Sequence, residues 1–350
     1  VSKIKNIADM VFVTGGTGLV GSHLLLELVK GGKQVRALRR PSSNLEQVRK
    51  LFSWYETGAD DLFSRIEWVE GDILDLYSLE PLLLGVDLVY HCAAVVSFDS
   101  GQRKTMIHNN VEGTANLVDA ALASGVRRIC HVSSVAALGR ALPGFSVDEN
   151  TNWVPARKNS GYSESKFFSE AEIWRGAEEG LEVVVVNPSI ILGPGNWESG
   201  SASLFHQVQK GLMFYTRGTT GFVDVRDVVA AMLLLTDDRN FEKAKRQRFL
   251  LNAENLSYRD FFSSVADALG KKRPSVYASN PMLGVAWRAA RMWSLVTGRP
   301  PKITRETVSG ANVLTSYNGE KISRLFGFTY RPVAESITHT VSCLLRDNGR

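Results

Sequence analysis

The sequence has 350 residues, 44% hydrophobic and 22% charged, enough for about two domains at ~100–200 residues each and unlike disordered or fibrous chains. Its formal charge is +5, yet residues 1–190 carry 19 Lys+Arg against 23 Asp+Glu, while 191–350 carry 22 against 13. The basic excess belongs to the second half alone, so it is no nucleic-acid signature and no nucleic-acid partner is expected.

Residues 9–14 read as a buried strand, a short apolar run that stops at glycines. A helix follows over 19–30, with Leu24, Leu25 and Leu28 on one side and Gly31-Gly32 ending it. The pattern then predicts a strand at 34–38, a helix at 45–52, a strand at 66–70, a helix at 76–84 and a strand at 88–91. A long helix over 111–124 stops at Gly125, before a strand at 128–133. Another helix, about 162–179, stops at Gly180, and four successive valines fill a strand at 181–187 closed by Pro188. Strand–helix alternation with near-continuous apolar strands predicts an α/β fold: a doubly wound parallel Rossmann sheet with helices on both faces.

After residue 190 the alternation weakens. Residues 192–196 read as a loop, 201–210 as a helix, 222–235 as a loop entering an apolar helix, and 248–251 as one more strand. The last two pieces are expected to return to the main sheet. The larger domain is then 1–190 plus about 222–252, and a smaller, mostly α, discontinuous domain takes about 191–221 and 253–350. That domain reads as helices at about 257–269 and 281–297, a loop at Gly298-Arg299-Pro300-Pro301-Lys302, and a terminal helix.

No apolar run reaches the ~20 residues of a membrane-spanning helix, and residues 1–9 hold no apolar signal-peptide core. Cys92, Cys130 and Cys343 form neither a disulfide framework nor a paired metal motif. The expectation is a cytoplasmic protein with reduced thiols and no metal.

Thr14-Gly15-Gly16-Thr17-Gly18-Leu19-Val20-Gly21 sits between the first strand and the first helix. In that context Gly15 permits the tight turn, Gly18 lets a pyrophosphate approach the backbone, and Gly21 lets helix pack on strand. The amides at the helix start then face the phosphate charge. An NAD 2′-hydroxyl is normally met by an acid at the end of the next strand, whereas a 2′-phosphate needs cations. Arg39 and Arg40 occupy that place, with Ser42 and Ser43 adjacent, which favours NADP(H) over NAD(H). Domain 1–190 is thus the expected NADP-binding domain.

Tyr162 and Lys166 stand at i,i+4, on one helix face. Chance alone supplies such pairs, and Tyr317 with Lys321 is a second. Only the Tyr162 pair follows a strand ending in Ser133-Ser134 and precedes another strand, which puts it on a sheet crossover near the cofactor. The Tyr317 pair reads as a loop entering the terminal helix. A phenol of pKa ~10 working near neutrality needs ~4 kcal/mol at ~1.36 per unit. A Lys ammonium about 4 Å away supplies ~4 kcal/mol at an effective dielectric of ~20, less what desolvation takes back. Tyr162 is therefore the expected proton donor or acceptor, Lys166 its partner, and Ser134 the hydrogen-bond partner of the reacting oxygen.

With these motifs together the chain resembles the extended short-chain dehydrogenase/reductases, the NAD-dependent epimerase/dehydratase family, over nearly its whole length. The resemblance implies that Gly71-Asp72-Ile73 is the adenine-contacting turn and that His91-Cys92-Ala93-Ala94 lies beneath the cofactor. It implies that Asn110, in Asn110-Val111-Glu112-Gly113-Thr114, braces the active-site helix. It also implies that Asn187-Pro188-Ser189-Ile190-Ile191 faces the nicotinamide, through Pro188 and Ile191, and that Lys166 holds the nicotinamide ribose. Arg39-Arg40, Ser134 and the tail 301–328 look most like the dihydroflavonol-4-reductase and 3β-hydroxysteroid dehydrogenase branch. That branch implies oxidoreduction of a ketone or secondary alcohol on a largely apolar small-molecule substrate. A nucleotide-sugar epimerase with tightly bound NAD is the alternative, and a non-catalytic cofactor-binding sensor the second. The resemblance is compatible with a homodimer formed through helices flanking the sheet. Residues 281–305 mix Trp287, Met292, Trp293 and Leu295 with Arg288, Arg291, Arg299, Lys302 and Arg305. A packed helix with snorkelling arginines is the favoured reading there, ahead of a substrate lid or a helix lying on a membrane surface.

Overall fold

The structure is a computed structural model that describes residues 10–97, 100–142, 144–156, 159–297, 304–347 and 349. Strand β1 (Met10–Thr14) turns through glycines into α1 (Leu19–Lys30), of which Leu24, Leu25, Leu26 and Leu28 are buried. There follow β2 (Gln34–Arg39), α2 (Leu45–Tyr55), α3 (Ala59–Ser64), β3 (Ile66–Glu70), α4 (Leu76–Leu79) and β4 (Leu88–His91). Helix α5 (Arg103–Ala123), β5 (Arg128–Val132), α6 (Gly161–Glu178) and β6 (Glu182–Pro188) complete the alternation. The helix expected over 76–84 tightens into a 3-10 turn at Glu80–Leu83, where Pro81 removes an amide donor. Helix α5 begins eight residues before the expected start. Its first two turns are mostly polar, which hid them from a periodicity reading.

The second half runs β7 (Ile190–Leu192), α7 (Ala202–Gln209), β8 (Phe214–Tyr215), β9 (Thr219–Asp224), α8 (Val225–Thr236), α9 (Asp238–Ala244) and β10 (Gln247–Leu251). Then come β11 (Glu254–Ser257), α10 (Tyr258–Ala268), β12 (Val276–Tyr277), α11 (Asn280–Thr297), α12 (Arg305–Gly310), α13 (Glu320–Phe326) and α14 (Val333–Asp347). The expected loop at 298–302 lies outside the described residues.

Seven parallel strands form the main sheet in the order β10-β6-β5-β4-β1-β2-β3. Strand order reverses beside β1, which opens a crevice at the carboxyl ends of β1 and β4. Val11, Val13, Cys130, Val184 and Val186 bury against α1, α2 and α8 on one face. Phe12, Val89, Ile129, Val183 and Val185 bury against α5 and α6 on the other. This is the doubly wound Rossmann arrangement.

Of the two stretches expected to rejoin that sheet, only one does so as a strand. β10 pairs in parallel with β6, Leu251 opposite Pro188. β9 instead lies in a three-stranded sheet between β11 and β7, and Phe222 stacks on Phe261 in a separate core built with α7, α10 and α14. The chain returns to the main core at α8, capped by Asp224. Residues 190–192, expected in part as loop, pair with β9.

Candidate active site

The turn after β1 is built from close approaches. Gly15 has φ +70, and a Cβ there would lie 2.5 Å from the Ala93 amide nitrogen. A Cβ on Gly21 would lie 2.2 Å from the Gly15 carbonyl oxygen. The Gly18 amide donates to that same carbonyl at 2.9 Å, closing the turn. Thr17 is half-buried on the turn, and α1 begins at Leu19 with no side-chain cap and no acid in its first turn. The amides around Leu19, Val20 and Gly21 therefore present uncapped positive charge to the crevice. Thr14 holds the loop after β4: its backbone oxygen accepts from Cys92, its hydroxyl accepts from the Ala93 amide at 3.2 Å, and Ala94 follows half-buried. The His91 ring bridges the Thr14 and Thr114 hydroxyls, and burial pulls its pKa down to about 3.

Beyond β2, Arg40, Ser42, Gly71 and Asp72 line a cleft of about 560 Å³. Arg39, one residue earlier, pairs with Glu70 on the neighbouring strand, Nη2 to Oε2 at 3.1 Å. Asp72 is exposed, with Oδ1 accepting from the Leu74 amide at 3.0 Å. Ile73 is half-buried and fills the space above Gly113 of α5.

Ser160 caps α6, accepting from the Ser163 amide at 3.0 Å, and so fixes where Tyr162 leaves the first turn. Ser134, just past β5, is hydrogen-bonded to the Tyr162 hydroxyl. Burial pushes the Tyr162 phenol up, and that hydrogen bond opposes the shift. Lys166 is buried one turn on, and its Nζ donates to the Val132 carbonyl at 3.0 Å. Burial brings its pKa down to about 8, against upward pulls from Cys92 and Glu170. In the ligand-free chain the Ser134 hydrogen bond opposes the upward shift of the Tyr162 phenol, while Lys166 Nζ is bonded to the strand. The second pair is no rival site, because Tyr317 precedes α13 and Lys321 donates to the Arg248 carbonyl.

Asn110 ties these parts together. Its side chain accepts from the Val95 amide at 2.7 Å, donates to the Val95 carbonyl at 2.9 Å, and donates to Ser165 Oγ on α6 at 3.1 Å. At the end of β6, Pro188 is buried and Ile191 half-buried. Asn187 Oδ1 and Ser189 Oγ, on either side of Pro188, are buried with no hydrogen-bond partner. Uncapped amides, glycines with no room for a side chain, and two orphaned polar atoms together suit a dinucleotide. Among the described residues no His/Cys/Asp/Glu group is arranged to hold a metal.

Sequence reasoning missed Glu170. This buried carboxylate, four residues beyond Lys166, accepts from Ser133 Oγ at 2.6 Å and Asn187 Nδ2 at 2.8 Å. The available signal was an acid at the next i+4 step, inside a helix expected to pack on the sheet.

The sequence profile of the NAD dependent epimerase/dehydratase family matches residues 11–248. The chain belongs to that family. It is an NAD(P)-dependent oxidoreductase enzyme of the extended short-chain type. It is similar to a putative dihydroflavonol 4-reductase of Synechocystis, 28% identical over 96% of this chain and 94% of that protein. It is also similar to sterol demethylase protein B of Methylococcus capsulatus, 31% identical over 75% of each. The fold is shared with a UDP-glucose 4-epimerase of Thermotoga maritima, with a TM-score of 0.75 and 19% identity over 97% of this chain and 99% of that one.

Proposed function

We propose that this family member is an NADP(H)-dependent reductase of a ketone on a largely apolar small molecule, working reversibly on the secondary alcohol. The observation that carries the reading is the Tyr162–Ser134 hydroxyl pair beside the buried Lys166. Gly15, Thr17, Gly18, Leu19, Val20 and Gly21 would hold the pyrophosphate. Arg39, Arg40 and Ser42 would take the 2′-phosphate, and Asp72 and Ile73 the adenine. Ala93 and Ala94 would lie under the dinucleotide, with Pro188 and Ile191 against the nicotinamide. When bound, NADPH supplies the hydride.

The protein supplies the proton and the geometry. The Tyr162 phenol is protonated in the ligand-free chain, the form that would donate to an oxygen gaining negative charge. The Ser134 hydrogen bond works against the upward shift that burial imposes. Ser134 would donate a hydrogen bond to the same oxygen, and Lys166, buried one turn beyond Tyr162, would hold the nicotinamide ribose. Asn110 acts at one remove, holding the 93–97 segment against α6.

The test is NADPH consumption with a panel of aromatic and aliphatic ketones, comparing wild type with Tyr162→Phe. Turnover of apolar ketones is expected, with a loss of roughly 10²–10⁴ in kcat for the variant and unchanged NADPH affinity. Tight NADPH binding with no ketone ever turned over would point instead to a cofactor sensor. Bound NAD surviving purification, with stabilisation by a UDP-sugar, would point to an epimerase.

A further inference from the structure

Helix α11 leaves several large apolar side chains outside its packed side. Leu283, Ala286, Trp287, Ala290 and Ser294 are its half-buried positions, one face of a helical repeat. A different face exposes Met282, Val285, Ala289, Met292 and Trp293, with Val285 69%, Met292 70% and Trp293 69% accessible. Arg288 and Arg291 are exposed along one border of this stripe, and residues 280–305 contain no Asp or Glu. Asn312 donates to Asn280 at 2.8 Å, setting the exposed Val313 and Leu314 beside the start of the helix. No described helix is long and apolar enough to cross a membrane.

We propose that α11 is a surface-docking helix that lays its Met282–Trp293 stripe into the interface of an anionic lipid membrane. An apolar face edged by cations and free of acids matches the boundary between acyl chains and negative headgroups. The charge pattern selects this occupant over a second copy. Two such stripes packed symmetrically would bring arginines against arginines with no carboxylate from the helix between them. A role as lid does not use the stripe, which lies on the side away from the body. Helix α12 packs on α11, and its Glu306 accepts from the Gly161 amide at the start of the catalytic helix. Docking therefore sets the candidate site one helix away from lipid, where an apolar substrate would partition. That last link rests on the proposed function; the docking does not.

The experiment is flotation of the whole chain, without cofactor or substrate, with vesicles of phosphatidylcholine alone or mixed in equal parts with phosphatidylglycerol. Flotation with the mixed vesicles and little with phosphatidylcholine is expected, falling as salt rises. The double variant Val285→Glu/Trp293→Glu should lower binding about tenfold or more, on the scale of withdrawing one apolar side chain from lipid. Arg288→Gln/Arg291→Gln should remove the preference for phosphatidylglycerol. Unchanged circular dichroism and melting temperature certify that these surface variants fold. No flotation with either vesicle, or equal flotation of the Val285→Glu/Trp293→Glu variant, overturns the proposal. So does sedimentation showing that this variant converts a vesicle-free dimer into monomer, because the stripe would then cover a second copy.

Discussion

Asn187 Nδ2 donates to Glu170 Oε2 at 2.8 Å, joining the end of β6 to the helix that carries Tyr162 and Lys166. The same amide nitrogen donates to the Ser134 carbonyl at 3.1 Å. Glu170 also accepts from Ser133 Oγ, from Trp174 Nε1 at 3.2 Å, and faces the Arg248 guanidinium at 3.3 Å. One buried carboxylate thus gathers the ends of β5 and β6 together with β10, and through Asn187 it fixes the backbone that presents the Ser134 hydroxyl. Low local dielectric strengthens such a network while it is complete and penalises it when one member is missing.

Glu170 is accordingly a positioning residue. Glu170→Ala strands the Ser133 and Asn187 donors and leaves Arg248 without this partner, at about 1–3 kcal/mol for a stranded buried donor. Urea unfolding should show that loss, and kcat should fall while NADPH affinity holds. Glu170→Gln retains one acceptor oxygen and should recover part of both. A kcat for Glu170→Ala equal to wild type would reduce the residue to a structural one.

Lys166 makes stability depend on pH in the ligand-free protein. Its folded pKa of about 8 lies below the ordinary lysine value of 10.5, so between those values the unfolded chain binds more protons than the folded one. Stability therefore rises as pH rises through this window, by up to about 3 kcal/mol at ~1.36 per unit. Below about pH 8 the full cost of burying the ammonium is present. Denaturant titrations at pH 8 and pH 10 should show this rise in wild type and a smaller one in Lys166→Met. Parallel pH profiles for the two proteins would refute it.

Much of this was readable in the residues because periodicity and loop chemistry are local. The β1–α1 turn, the strand of valines and the placement of Tyr162 and Lys166 follow from runs of fewer than twenty residues. What escaped was decided by distant contacts. β9, Thr-Thr-Gly-Phe-Val-Asp, is too short of apolar residues to read as a strand, and its pairing with β7 and β11 is what makes it one. The start of α5 is polar because Lys104, Thr105 and His108 are exposed, while Arg103 pairs with Glu164 of α6 and Asn110 holds the Val95 segment. Glu170 drew no expectation from the sequence, and only the tertiary fold shows it surrounded by donors.

Arg39, proposed to meet a 2′-phosphate, pairs with a neighbour of opposite sign, Glu70. Glu70 itself lines the cleft that contains Arg40 and Ser42. Arg39→Asp would set two carboxylates side by side and remove a fork matched to phosphate. NADPH affinity should drop by about tenfold to a hundredfold, the equivalent of one charge-assisted hydrogen bond, while NADH affinity changes little. Isothermal titration with both cofactors decides the matter, and equal losses would refute a 2′-phosphate role.

Two glycines of α1 and its exit separate cofactor binding from backbone strain. Gly21→Ala places a methyl 2.2 Å from the Gly15 oxygen and 2.7 Å from its carbonyl carbon, both backbone atoms that no rotamer can relieve. The turn must open, so dinucleotide binding should fall below detection while the helix survives. Gly32 has φ +73, and a Cβ added there would meet nothing within 4 Å. Gly32→Ala should therefore cost only local strain, roughly 1–2 kcal/mol, and leave NADPH affinity intact. Thermal unfolding and NADPH titration of both variants give the comparison. If Gly21→Ala bound NADPH as Gly32→Ala does, the turn would not be the pyrophosphate cradle.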